Sequence, residues 1–509
     1  MKQITKLLSH RVVMVGLLLL IQFGAILALV LKFNEYYVYF YTLCDLIALI
    51  ITVYIVSLKS NPGYKIAWIV TIMAIPLFGV LLYLIFGGNR LSNREKKKML
   101  EIYQHTKDYF VQDIETERHL SEASKAAYAQ SKYIRDYALC PVHEHTKTTY
   151  FPRGEDFYKD FLTELKAAKQ FIFIEFFIIA EGTMWDTTLD ILEQKAKEGV
   201  DVRLLYDDMG CIFTLPKDYD QQLRKRGIKC TAFNPFIPIL TSRFNNRDHR
   251  KIVVIDGTVA YTGGVNIADE YINHIQKYGY WKDNALKLEG DGVWSFTIMF
   301  LTLWNYIHNA DVDYTRYRIT QPVRQDCDGF VQPYSDSPLD DEATGETVYL
   351  NLINRATQSV YITTPYLIVD NEMITALCNA AKSGIDVRII TPGIADKKIV
   401  NELTKGYYHI LISCGVRIYE YTPGFIHAKT VIVDGEYATV GSVNFDYRSL
   451  YLHFECGVWM YRTNCIQDIM ADYEQTLTES QEITLDDCNQ VSIPRKVFRA
   501  ILRVFAPMM

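Results

Sequence analysis

The stretch Phe425 to Asn444, FIHAKTVIVDGEYATVGSVN, limits what this chain can fold into more than any other. Its alternating apolar positions predict a strand from Ile426 to Val433, and a strand's period of two sets His427 and Lys429 on one face. Asp434-Gly435 predicts a hairpin turn, and Glu436 to Val440 the returning strand. Small residues follow at Gly441-Ser442-Val443-Asn444, where backbone can approach a ligand closely and an amide can donate to an anion. The same pattern stands earlier in the chain: His249, Lys251 and Asp256 in HRKIVVID precede Gly263-Gly264-Val265-Asn266 after an equal interval. Two copies of HxKxxxxD with the same Gly and Asn downstream point to one unit written twice. An imidazole beside an ammonium on each copy suits phosphate chemistry.

The repeat extends beyond the motifs. Phe171 to Glu175 and Val360 to Thr364 read as strands, and each precedes a helical stretch that ends in a second β-branched run, GVDVR at Gly199 or GIDVR at Gly384. A helix joining two such runs favours a parallel pair through a right-handed crossover, hence an α/β lobe. Each motif hairpin then completes its lobe. Asp256 and Asp434 fall on the opposite parity from the His and Lys and precede a turn Gly, so they are expected to pin the hairpin more than to touch substrate.

At these motifs the chain resembles the phospholipase D superfamily, from about Phe151 to its end. The nearest subfamily is bacterial cardiolipin synthase, on LLYDDMG at Leu204 to Gly210, YWKD at Tyr280 to Asp283, TPY at Thr364 to Tyr366 and GSVNFDYRSLYLHFE at Gly441 to Glu455. Two positions depart from the family pattern: His453 stands where Asn is usual, and Gly264 where Ser is preferred. The resemblance implies two phospholipase D-like lobes of mixed β-sheet flanked by helices, with the active site between them. Catalytic roles go to His249, Lys251, Asp256, His427, Lys429 and Asp434, with His249 as nucleophile and His427 as acid and base. Asn266, Asn444 and Ser442 are expected to support the phosphate, and Asp283 and Glu455 to orient the imidazoles, each serving the opposite His.

Composition narrows the substrate. A net charge of -6 disfavours nucleic acid, and ten scattered cysteines with no metal-ligand spacing fit a reducing compartment. Three apolar runs precede the motifs: Val12 to Leu31, Val38 to Leu58 and Ile66 to Phe86. Lys2, Lys6 and Arg11 flank the first, while Arg90, Arg94 and Lys96 to Lys98 follow the last. Three spans would put these basic clusters on opposite faces, so either the larger cluster marks the cytoplasmic side or one run is re-entrant. The organisation expected is an anchor of two or three transmembrane helices over residues 1–91, a helical connector over 92–138, lobe 1 over 139–321 and lobe 2 over 322–509. The last carries a basic amphipathic helix at Pro494 to Met509 that either lies on an anionic membrane or packs on the lobe. The protein is thus expected in the cell membrane, multi-pass, with its catalytic region on the cytoplasmic side.

An anchor beside phosphatidyl-transfer motifs implies a membrane lipid substrate. The reading is transfer of a phosphatidyl group between two phosphatidylglycerol molecules through a phosphatidyl-histidine, giving cardiolipin and glycerol. Lysines neutralise the phosphoryl oxygens, so no metal or cofactor is called for. The alternatives are a membrane-bound phospholipase D that hydrolyses or uses another alcohol, and a non-catalytic membrane scaffold.

Overall fold

The computed structural model describes residues 37–87, 93–235, 245–309, 312–319, 326–340 and 342–508, with a few single positions before residue 37. Lobe 1 contributes β1 (Thr146–Phe151), β2 (Phe171–Phe176), β3 (Asp201–Asp207), β4 (Lys229–Phe233), β5 (Ile252–Ile255), β6 (Val259–Gly263), β7 (Tyr280–Lys282) and β8 (Ala285–Gly290). All but β7 form one sheet in the order β1-β8-β6-β5-β2-β3-β4. β2, FIFIEF, is buried along its whole length because helices cover both faces of the sheet at its centre. The helix Thr183–Lys197 carries the chain from β2 to its parallel neighbour β3.

Lobe 2 repeats this plan. Its strands are β9 (Phe330–Asp336), β10 (Ser359–Thr363), β11 (Leu367–Ile368), β12 (Asp386–Pro392), β13 (Arg417–Tyr421), β14 (Gly424–Ile426), β15 (Thr430–Val433), β16 (Tyr437–Gly441), β17 (Phe445–Asp446), β18 (Glu455–Tyr461) and β19 (Ser480–Ile483). The larger sheet runs β19-β13-β12-β10-β15-β16-β18-β9, with Asn371–Lys382 as the crossover helix between parallel β10 and β12. Each motif hairpin turns on an Asp-Gly pair with both residues at positive φ, 51° and 63° at Asp256-Gly257 and 54° and 66° at Asp434-Gly435. These are the dihedrals of a primed two-residue turn, whose twist matches that of the strands it joins.

The single strand expected from Ile426 to Val433 is two strands. β14 leaves the lobe to pair in parallel with β7 of lobe 1, whereas β15 lies between β10 and β16 of its own sheet. His427-Ala428-Lys429 is the step between the two sheets, so the break falls on the motif itself.

Ahead of the lobes lie the helices Tyr37–Ser57, Pro62–Ala74 and Pro76–Phe86. The run expected as one span from Ile66 to Phe86 is broken at Pro76, whose missing N–H and fixed φ end the preceding helix. Its two halves fold back on each other: Tyr64 Oη donates to Gly87 O (3.2 Å), and the Trp68 and Tyr83 rings meet edge-on at 5.3 Å. Gly79 permits this, because a Cβ there would stand 2.5 Å from Ile72 Cα. Among the described residues no helix is long and apolar enough to cross a membrane, so the spans expected from the sequence are not found among them. The first of those runs, Val12 to Leu31, lies almost entirely outside the described residues, as does Arg90. Asn93–Thr106, Ile114–Ala123 and Lys125–Tyr137 are the helices between this region and β1.

Candidate active site

The two motifs face each other because the lobes exchange backbone hydrogen bonds at them. The His427 N–H donates to Lys282 O (2.7 Å) and the His249 N–H to Phe454 O (2.9 Å). One residue beyond each accepting carbonyl stands a carboxylate. Asp283 Oδ2 lies 2.7 Å from His427 Nδ1, and Glu455 Oε1 lies 2.9 Å from His249 Nδ1. Each carboxylate therefore holds the imidazole of the opposite lobe, fixes the proton on Nδ1 and leaves Nε2 as the reactive nitrogen.

The lysines fold back beside their histidines. Lys251 Nζ donates to His249 O (2.6 Å), and Lys429 Nζ donates to His427 O and lies 2.9 Å from His427 Nδ1. Arg250, between His249 and Lys251, points the other way, into a buried ion pair with Glu175 (2.7 Å). Alternation thus holds across His249-Arg250-Lys251, although β5 begins only at Ile252.

Burial sets the charges. His249, Lys251, His427, Lys429, Asp283 and Glu455 are all buried. Loss of water, reinforced by the two lysines, pushes the His249 imidazolium well below its ordinary range. His427 is brought down to about 4 by burial and Lys429. Burial also lowers Lys251 to about 8 and Lys429 to about 7. Burial alone would raise the Asp283 carboxyl, but His427 and Lys429 hold it below the usual range. Two neutral imidazoles stand ready beside ammonium groups poised near neutrality.

Comparison with known proteins meets this geometry. The model of the cardiolipin synthase PLD-like domain matches residues 161–284 and 349–477, and that of the phospholipase D-nuclease N-terminal region matches residues 45–88. A cardiolipin synthase of Geobacillus sp. (strain WCH70) is 34% identical over 90% of this chain and 91% of its own. The chain belongs to the cardiolipin synthase family. Cardiolipin synthase 2 of Bacillus cereus is 35% identical over 89% of this chain and 88% of its own length. In solved structures the fold is shared with phosphatidylserine synthase of Haemophilus influenzae, with a TM-score of 0.53 and 16% identity over 71% of this chain and 93% of that one.

The remaining residues expected at this cardiolipin synthase-family site divide into those at the imidazoles and those that hold the frame. Ser442 Oγ donates to Glu455 Oε2 and accepts from the Cys456 N–H (3.0 Å). Asn444 is buried beside it, and among the described residues its Oδ1 has no hydrogen-bond partner. Asn266 is anchored on both sides: its Oδ1 accepts from the Ile178 N–H (3.0 Å) and one N–H of its Nδ2 donates to Tyr271 Oη (2.8 Å). Asp256 and Asp434 stand away from the imidazoles. Asp256 accepts three backbone N–H groups, of Lys169, Gln170 and Phe171, and Asp434 those of Thr357, Gln358 and Ser359. They tie the hairpin turn to the loop that enters β2 or β10, in line with the pinning expected from their opposite parity.

Sequence reading passed over the aromatic walls. Trp281 and Tyr271 each set a ring 5.6 Å from His427, and Phe177 sets one 5.0 Å from His249. The repeat contained the signal, since Trp281 precedes Asp283 by the same two residues as His453 precedes Glu455. His453 accordingly lies beside His249, at 5.7 Å between rings, with Nδ1 3.7 Å from Glu455 Oε1. Burial lowers it to about 4. Among the described residues, His249, His453 and Glu455 form a group of ligand-type atoms all within 4.8 Å of one another. His453 also lines a cavity of about 560 Å³ between the N-terminal helices and lobe 2, with Asn61, Tyr64, Tyr447, Tyr451 and Pro507.

Proposed function

We propose that this chain makes cardiolipin by transferring the phosphatidyl group of one phosphatidylglycerol to the terminal hydroxyl of another. The observation that carries the reading is the reciprocal arrangement at the lobe interface: each imidazole is oriented by a carboxylate of the opposite lobe, beside its own lysine. One Nε2 attacks phosphorus while the other imidazole, protonated for this step, gives its proton to the departing glycerol oxygen as the P–O bond breaks. That second imidazole, now neutral, takes the proton of the incoming hydroxyl as its oxygen displaces the histidine. The resemblance gives His249 the attack and His427 the proton, and Lys251 and Lys429 meet the charge that grows on the phosphoryl oxygens. Burial of the pair limits water as a competing acceptor. Residues 1–91 serve in this reading as the membrane anchor, 92–138 as connector and the two lobes, 139–321 and 322–509, as the catalytic region on the cytoplasmic side.

The test is thin-layer analysis of products from labelled phosphatidylglycerol with the purified full chain, beside His249→Ala and His427→Ala. Cardiolipin and glycerol from the unaltered protein alone is the expected result. Phosphatidic acid in place of cardiolipin would make the protein a hydrolase, and no turnover would leave a scaffold.

A further inference from the structure

The C-terminal helix Ile493–Phe505 is mounted with its charged side inward. Arg495 and Arg499 both pair with Glu402 of the helix Lys398–Ser413, the latter at 2.9 Å, and they hold the Glu402 carboxyl down at about 2. The Arg503 guanidinium lies over the Tyr407 ring, 4.8 Å from its centre. Gly406 gives the arginine stems room: a Cβ there would already touch Arg503 Cδ at 3.4 Å. The opposite side is apolar and faces out. Ile493, Val497 and Ile501, at helical spacing, are 76%, 53% and 52% exposed, with Phe498 and Val504 beside them. An amphipathic helix in water normally presents the reverse arrangement.

This face does not stand alone. The helix packs against Pro62–Ala74, and Pro507, just beyond its end, reaches the Gly63 backbone. Pro62–Ala74 in turn exposes Ile66, Val70 and Met73, again at helical spacing, and the neighbouring Tyr37–Ser57 exposes Leu46, Ile50 and Val53. Lys496 is exposed beside the terminal stripe, where it can meet anionic headgroups. Pro507 and Asn61, at the junction, both line the cavity that reaches His453.

We propose that the outward apolar face of the helix Ile493–Phe505, continuous with the exposed faces of the N-terminal helices, docks on an anionic bilayer and holds lobe 2, with the cavity at its junction, at the membrane surface. The proposal extends the lipid-transfer reading and rests on it for the choice of a bilayer as occupant. The helix acts by partition into the interface, not by charge alone, because two of its arginines are committed to Glu402.

The test reconstitutes the full chain in vesicles of phosphatidylcholine and phosphatidylglycerol that carry a photoactivatable group on an acyl chain. After illumination, the peptide that begins at Cys488 is expected to carry lipid adducts. Adducts confined to residues before 88 would overturn the proposal. The double variant Val497→Asp with Ile501→Asp is expected to lose about tenfold in rate on vesicles, the scale of one large apolar side chain kept from burial, and nothing on dispersed short-chain phosphatidylglycerol. An equal loss on both substrates would mean a purely structural helix. A dimer that becomes monomeric in the variant, without adducts in the native protein, would assign the face to a second copy. If the unaltered protein makes no cardiolipin from the short-chain lipid, the transfer reading fails, while the adduct map still decides docking.

Discussion

The two halves of the site reach the same end by different fittings. Lobe 1 presents Asp283 to His427, and lobe 2 presents Glu455 to His249. Asp is shorter by one methylene, so its carboxylate must approach closer to the backbone behind it: a Cβ on Gly264 would stand 2.0 Å from Asp283 Oδ1. Glu455 reaches further, and Ser442, the counterpart of Gly264, closes the gap with a hydroxyl hydrogen bond. The departure from the family's Ser at position 264 is thus matched to the choice of Asp at 283. Side chains in a packed site change in compensating pairs, because a void or a clash of one atom is felt at once. The rings differ in the same way, Trp281 against His427 and His453 against His249.

Removing either imidazole probes the equivalence of the halves most severely. His249→Ala and His427→Ala should each lower kcat by ~10⁴-fold or more, since nucleophile and acid act as a unit. The release of labelled glycerol in a single turnover then separates them: only the variant that keeps the nucleophile can retain a phosphatidyl-enzyme. Asp283→Asn and Glu455→Gln should follow, each costing on the order of 10²–10⁴-fold in kcat through the wrong imidazole tautomer, with circular dichroism unchanged. A large loss in one and none in the other would break the reciprocity.

The fittings themselves are tested by exchange. Gly264→Ser should cost ~10–100-fold in kcat as Asp283 is displaced, whereas Ser442→Gly, which leaves space rather than a clash, should cost less. Because Ser with Glu is the fitting of the other half, Asp283→Glu should recover part of the kcat that Gly264→Ser loses.

The lysines make the halves differ in pH dependence. Lys429 is charged below about 7 and Lys251 below about 8. kcat/KM, which reports the free enzyme, should therefore fall as pH rises past 7, when the Lys429 ammonium is lost. Lys429→Arg should move that alkaline limb upward, and Lys251→Arg should move it less.

The smallest expected effect belongs to the frame. Asp256→Ala and Asp434→Ala each orphan three backbone N–H groups, and should lower stability by about 1–3 kcal/mol in urea unfolding with kcat largely retained. A collapse of kcat at full stability would return these residues to the chemistry.

Much of this was legible in the sequence. The repeat required two like lobes, the alternation paired His with Lys, and the Asp-Gly pairs marked both turns, because strand period and turn dihedrals are local properties of the chain. The opposite parity of Asp256 and Asp434 already separated them from the imidazoles. The C-terminal helix was legible as amphipathic, but not which side it turns outward, since that depends on Glu402 in another helix. Nor could local pattern foresee the break at His427, which arises because β14 pairs with the other lobe. The fold-back at Pro76 likewise needed the contact between Trp68 and Tyr83. That Ile178 and Tyr271 anchor the Asn266 amide was also invisible in the local pattern. The sequence by itself determined the lobes, the two reactive motifs and the family; tertiary structure decided which carboxylate holds which imidazole, and that Gly264 must be Gly. Those last facts depend on contacts between residues far apart in the chain, where ångström distances rather than residue pattern choose the partner.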